Sequence, residues 1–495
     1  MKKRIICLAL MLIMVLSLTS CVIDQKYDYD LTKYVTIPNV AGKEIEVKLD
    51  YVQSTIDSDI ISSSAVASNK YTAKEGDNVT MSIVIKELFW SADGKIDSSK
   101  DANGNENILF STDNSTTTDV VETIIIKNLG AGSFHPEIEA KFLKKKLGQE
   151  HTDTYKLPSD LSALQGMLTA EQYAKIAPYA GKDCYITYKF ISRPVREGDI
   201  VNVSYTGYHT DDAGNIKIGT DGKEVTFSGG SGTSNVYIGS RTFIEDFEKG
   251  LIGFEVGKEG QFKATFPSDY GVDDLNGKTV IFKATVKDIF TPKEYNLEYI
   301  KSTYGDKYES IEAFETELKK AYASQQLLNF FLENTIALDY PKAEKKLIAN
   351  QLKEMELNFA TQYGMEFDAY LKAYLGFNSR EDYIHYTMKA EMAYYAYAQQ
   401  NGLEPTNADI ATARAGLIET YKEQYLQSSS KITEAEALSL ATSFVDEQLT
   451  ESDIYQEAIY ALVGDHLETQ YVMKEIAPTY TSVTKGGSLF DPKAE

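Results

Sequence analysis

The sequence predicts a multidomain chain that combines α+β and all-α parts. Two tandem domains, each a β-sheet around one short helix, are followed by a helical domain. Three observations lead there. The pattern changes character once, near Thr291-Pro292, from short alternating runs broken by Gly, Asp and Ser to helical periodicity. Four spaced motifs recur in the same order within the β-rich part. And 495 residues exceed what one core supports, leaving room for about three domains.

The first residues set the compartment. Lys2, Lys3 and Arg4 form a positive region, and Ile5 to Leu18 is an apolar run of signal-peptide length, short for a spanning helix. It ends in Leu18-Thr19-Ser20-Cys21, small residues before a cysteine. These resemble a bacterial lipobox, which implies a signal peptide over 1–20 and a lipid on Cys21. An ordinary secretory signal and an uncleaved anchor remain as alternatives. All three place the protein outside the cytoplasm, as an extracytoplasmic, membrane-anchored lipoprotein in the leading case.

Charge and cysteines narrow the class. Fifty Lys and Arg stand against 73 Asp and Glu, and loss of Lys2, Lys3 and Arg4 takes the formal charge from −23 to −26. A chain this acidic is no nucleic-acid binder by bulk electrostatics and is repelled by anionic membrane surfaces. Membrane attachment therefore has to come from lipid, and stable attachment takes more than one acyl chain. Of Cys7, Cys21 and Cys184, one remains in the folded part, so no internal disulfide is expected. No zinc-site spacing or phosphate-binding glycine motif is present, and neither metal nor cofactor is expected.

Residues 21–70 read as a tether and lead-in segment, with Ile45, Val47 and Leu49 alternating as a strand. The repeat then begins. Glu75-Gly76-Asp77 matches Glu197-Gly198-Asp199, and Leu129-Gly130 through Phe134 matches Ile238-Gly239 through Phe243. Leu157-Pro158-Ser159-Asp160 matches Phe266-Pro267-Ser268-Asp269, and Gly181-Lys182 matches Gly277-Lys278. Two copies of one domain follow, over 71–193 and 194–292, the first with extra residues around Ser91–Thr118 and Ser162–Tyr179. In the second, Asp199 to Tyr205 and Lys278 to Ile289 read as strands, and Phe243 to Leu251 as a short amphipathic helix.

Residues 293–480 read as helical, with Pro341 at a helix start and Gly364, Gly376, Gly402 and Pro405 at breaks. The aromatic run from Tyr363 to Tyr397 serves helix packing, an adaptable surface for unfolded chains, or both. The polar, Gly-containing segment 481–495 reads as a disordered tail.

Tyr205-Thr206-Gly207, Phe227-Ser228-Gly229-Gly230, Ile238-Gly239-Ser240, the stretch Phe243 to Leu251, Phe266 to Tyr270, and Gly277-Lys278 with Phe282 come in an order that resembles FKBP-type peptidyl-prolyl isomerases. The nearest subtype is the one inside trigger factor. Tyr340-Pro341 to Phe359, Tyr363 to Leu371 and Gly402 to Asn407 resemble the C-terminal chaperone domain of the same family. The resemblance implies two FKBP-like domains, the first degenerate, and a helical chaperone domain. The family's ribosome-docking domain has no counterpart in the sequence, so no ribosome partner is expected, and Asp246 stands where the family usually carries glycine.

By this resemblance the proline pocket is Tyr205, Phe227, Phe243, Ile244, Phe247, Tyr270 and Phe282. Phe247 forms its floor, Tyr205 one wall, and the Ile244 N–H a donor to a substrate carbonyl. In the first copy Ile83, Ile138 and Leu161 replace Tyr205, Phe247 and Tyr270, so that copy is expected to be non-catalytic. The implied partners are unfolded exported polypeptides with X-Pro bonds. The implied activity is lipid-anchored prolyl isomerisation with chaperoning. A pure holdase, kept open by Asp246, and a ligand-binding surface lipoprotein are the alternatives.

Overall fold

The computed structural model describes residues 27–490 apart from 67–69, 91–95, 99–100, 102, 113–123, 133, 166–167, 363–365 and 429–431. The signal segment and Cys21 lie outside the described residues, as do Tyr363, Gly364 and Met365. The described chain opens with strands β1 (Val35–Thr36) and β2 (Lys43–Lys48) and helix α1 (Leu49–Val66).

The first copy contains β3 (Val79–Glu87), β4 (Ile108–Ser111), β5 (Ile124–Ile126), α2 (Pro136–Phe142), β6 (Glu150–Lys156), α3 (Ala170–Ile176) and β7 (Asp183–Ser192). Its antiparallel sheet runs β4-β3-β7-β6, with β5 also on β3. The second contains β8 (Ile200–His209), β9 (Thr226–Tyr237), α4 (Glu245–Leu251), β10 (Glu259–Thr265) and β11 (Thr279–Phe290), in the order β9-β8-β11-β10. Val79, Met81, Ile83 and Ile85 alternate inward on β3, as Val201 and Val203 do on β8.

The repeat is reproduced bond for bond at two places. Buried Glu139 on α2 accepts the N–H groups of Gly130, Gly132 and Phe134, and buried Glu248 on α4 accepts those of Gly239, Arg241 and Phe243. Asp77 accepts the Lys74 N–H, and Asp199 accepts the Arg196 N–H. A carboxylate surrounded by amide donors at a helix start is favoured by both the hydrogen bonds and the helix dipole. The two copies are joined by polar contacts: Arg196 reaches Asp77 at 2.6 Å, and the Arg193 guanidinium lies 3.4 Å over the Tyr71 ring while bonding Asp199 at 2.5 Å.

The remainder comprises α5 (Leu297–Tyr304), α6 (Ile311–Glu333), β12 (Ile336–Ala337), α7 (Lys342–Gln362), α8 (Phe367–Ala373), α9 (Arg380–Asn401), α10 (Asn407–Ser428), α11 (Glu434–Gln448), α12 (Glu451–Glu468) and β13 (Tyr471–Ile476). Ser379 caps α9 at its start, and Gly402, at φ +64°, ends it in the left-handed conformation that L-residues avoid. Thr433 and Thr450 close capping boxes on α11 and α12. No helix of the described residues is long and apolar enough to cross a membrane.

Packing divides the described chain into two compact units, each discontinuous in sequence. Residues up to Val52 join Ala313–Pro478, and Gln53–Glu312 join those from Thr479. Both tandem domains and α5 thus share one unit, whereas the sequence placed the helical boundary at 293. The described lead-in residues as far as Val52 belong to the helical unit, and those from Gln53 to the other. β2 pairs in parallel with β13 from Lys43 opposite Tyr471 to Lys48 opposite Ile476, and β1 pairs with β12. Tyr27 is buried there, its hydroxyl donating to Glu391 at 2.8 Å and its ring 5.1 Å from Tyr395.

One of the alternatives for the aromatic run is resolved, and one expectation changes. Tyr383, Tyr395 and Tyr397 are core, while Tyr374 and Tyr386 are exposed, so the aromatic run divides between packing and surface. The tail expected to be disordered is packed as far as it is described: Leu489 and Phe490 are buried, and Phe490 lies 5.3 Å from Tyr295. These two apolar residues give no periodic signal among polar neighbours, yet they anchor the segment.

Candidate functional site

In the second copy α4 packs against β10, and a cleft lies between α4 and the sheet. Along β8 the inward alternation runs Val201, Val203, Tyr205, Gly207. Tyr205 is half-buried and its ring enters the cleft. Gly207 lies against Phe227, where an added Cβ would come within 2.4 Å of the ring. Phe227 reaches this place because β9 leaves the ladder: Thr206 faces Ser231 but Tyr208 already faces Thr226. The intervening residues bulge and turn the ring inward.

Helix α4 supplies the floor. Phe247, 1% exposed, packs at 4.8 Å and nearly perpendicular to Phe282, which β11 sets opposite Gly207. Tyr205 meets Phe247 edge-on at 5.1 Å, and Phe243 stacks on Phe247 at 5.2 Å. Edge-to-face pairs of this kind match the positive rim of one ring to the negative face of the next. Ile244 is the N-cap of α4, so its N–H stays outside the helical ladder. Tyr270 sits at the rim, 45% exposed, with its ring 4.5 Å from Phe266.

The resulting cleft has a volume of about 660 Å³ and is lined by all seven residues the sequence singled out. It also gathers residues the sequence reading left out. Phe266, Leu275 and Val272 extend the apolar wall, and Arg241, Thr242 and Glu245 form a polar edge. Phe262 backs the floor, 5.5 Å from Phe247 and 5.7 Å from Phe282. Its signal was the alternation of Phe262 and Ala264 with Gln261 and Lys263, and the pairing of β10 with β11 puts Phe262 directly opposite Phe282. Lys249, by a hydrogen bond, and Arg241, by charge, hold the exposed Glu245 carboxyl below its ordinary range.

Asp246 leaves this arrangement intact. It lies on the exposed side of a regular α4 and accepts the Thr265 N–H at 2.9 Å, tying the helix to the edge of β10. In the first copy the equivalent space is closed. Ile83, Ile138, Leu161 and Ile186 are buried there, and Leu164 and Ile176 from the inserted segment join the same core.

Residues 192–287 match the family model of the FKBP-type peptidyl-prolyl cis-trans isomerase. The chain is 29% identical over 238 residues to the trigger factor of Halothermothrix orenii, covering 44% of this chain and 51% of that protein. It is 26% identical over 295 residues to the trigger factor of Clostridium tetani, covering 55% and 62%. The chain therefore spans between half and two thirds of these relatives' length. A solved chain from a study of substrate recognition by the trigger factor chaperone aligns at 18% identity and a TM-score of 0.20, over 56% of this chain and 62% of that one. That score is too low to compare the two molecules as wholes.

Proposed function

We propose that this protein is an exported prolyl isomerase and chaperone, held at the bacterial envelope by lipid on Cys21, that acts on unfolded exported polypeptides with X-Pro bonds. The observation that carries the isomerase reading is the cleft floored by Phe247 and Phe282 and walled by Tyr205. The FKBP-type match over the same residues and the similarity to trigger factors support it. Export and lipidation rest on the N-terminal sequence, and the chaperone role on the similarity of the helical part.

Rotation about an X-Pro bond needs neither nucleophile nor metal. The barrier is amide resonance, about 18–20 kcal/mol, and the uncatalysed step takes roughly tens to hundreds of seconds. In the twisted amide the nitrogen has lost conjugation and the group is less polar than the planar form. A dry aromatic cleft that grips the proline ring removes water from the planar ground state and favours the twisted one. In this reading the Ile244 N–H, outside the helical ladder, donates to a flanking carbonyl and holds the peptide across the cleft.

The holdase alternative drew on Asp246, and the exposed position of that residue removes its main support. Proline-limited refolding of a model substrate with the full-length chain tests the proposal. Acceleration of the slow phase at substoichiometric chain is expected. Slowed or unchanged refolding by folded protein favours the holdase.

A further inference from the structure

The loop Ile238–Phe243 has one side in the cleft and another against the C-terminal segment. In both copies the corresponding loop is fixed by the same buried glutamate. Gly130 in the first copy faces Glu75, whereas Gly239 in the second faces both Glu197 and Val483. A Cβ on Gly239 would come within 2.6 Å of the Val483 side chain, so the contact is close. The Tyr480 hydroxyl donates to the Ser240 carbonyl at 2.8 Å. The Arg241 guanidinium lies 4.6 Å over the Tyr480 ring and 3.0 Å from Glu245.

Arg241 is unusual in its backbone as well. Its φ is +60°, and the equivalent position of the first copy is Gly132 at φ +81°. A side chain in the left-handed region costs energy that glycine would not, and such strain concentrates where the side chain has work to perform. Beyond Tyr480 the segment is held down. Asp57, fully buried on α1, accepts hydrogen bonds from Ser482 and Thr484, and Gln53 donates to the Leu489 carbonyl.

We infer that residues 480–490 form a strap that completes the cleft, with Tyr480 the positioning residue that presents Arg241 at its polar edge to the main-chain carbonyls of a bound peptide. Arg241 has five N–H donors, and Glu245 leaves several for a ligand. The inference rests on the isomerase reading for its substrate, but the positioning of the loop is measurable without it.

The experiment compares the full chain with Tyr480→Leu, Tyr480→Phe and a chain ending at residue 478, using kcat and KM on an X-Pro substrate and amide hydrogen exchange. Tyr480→Leu is expected to raise KM about fivefold with kcat within about twofold, the size of one lost cation–π contact and one hydrogen bond. Tyr480→Phe, which keeps the ring under Arg241, is expected to recover most of the KM. The Gly239, Arg241 and Phe243 amides should exchange faster in Tyr480→Leu and in the shortened chain. Those of Gly130 and Gly132 should not change, which also reports that the first copy remains folded. A lower apparent kcat at unchanged KM, or unchanged exchange in the 239–243 loop, would overturn the inference. If the wild-type chain shows no isomerase activity, the isomerase reading falls and the exchange result alone decides the strap.

Discussion

Single residues in the cleft differ in what they can report. Phe247 is so deeply buried that its truncation to Ala is expected to cost about 3–5 kcal/mol of stability, which confounds any activity measurement. Gly207 is the sharper probe. A methyl there meets the Phe227 and Phe282 rings within 2.4 and 2.8 Å, so Gly207→Ala must displace a ring of the cleft. Overpacking of this kind costs about 1–3 kcal/mol, and the displaced ring occupies space meant for proline. We expect Gly207→Ala to lose more than tenfold in kcat/KM while the chain stays folded by circular dichroism; unchanged kcat/KM would show that the rings do not bound the site. At this scale much was legible. The seven lining residues were carried over by resemblance, on spaced motifs that match those of FKBP-type isomerases. Phe262 and Arg241 were not, because their roles depend on neighbours across a strand pair and across the strap.

At the scale of elements, the sequence marked β8, β11 and α4 through alternation and helical spacing, and it marked the repeat through turn glycines and a shared acid. It misread the strap, whose anchoring by Asp57, Gln53 and the loop at Gly239 is invisible in a polar, glycine-containing run. Asp57 gives this element a pH signature. Burial pushes its carboxyl up to about 7, Glu248 adds to the rise, and the hydrogen bonds from Thr484 and Ser482 oppose it. An unfolded Asp titrates near about 3.9. The folded state therefore holds a proton that the unfolded state has released, and this contribution is complete below about pH 4 and lost as the pH rises through about 7. The melting temperature of the full chain should fall between pH 5 and pH 8, and Asp57→Asn should flatten that fall. Scanning calorimetry at both pH values checks this, and an unaltered slope in the variant would contradict the burial of a proton at this site.

For the whole molecule, packing gathers the tandem domains with α5 and the segment from Thr479, and the helices from Ala313 with the first strands. Short lead-in strands carry too little pattern to reveal a partner more than 400 residues away, and β2 finds it in β13. The tandem copies show how one fold is kept while its cleft is lost. Three aromatic positions become aliphatic, at Ile83, Ile138 and Leu161, and an insertion packs Leu164 and Ile176 into the core. The isomerase activity we propose therefore belongs to the second copy alone. The most direct test is exchange spectroscopy of the cis and trans forms of a short X-Pro peptide with the full-length wild-type chain and with Tyr205→Ala. The account predicts faster interconversion with wild type and at least a tenfold loss in the variant, although the first copy is untouched. No acceleration by folded wild-type chain, or equal acceleration by the variant, would contradict it.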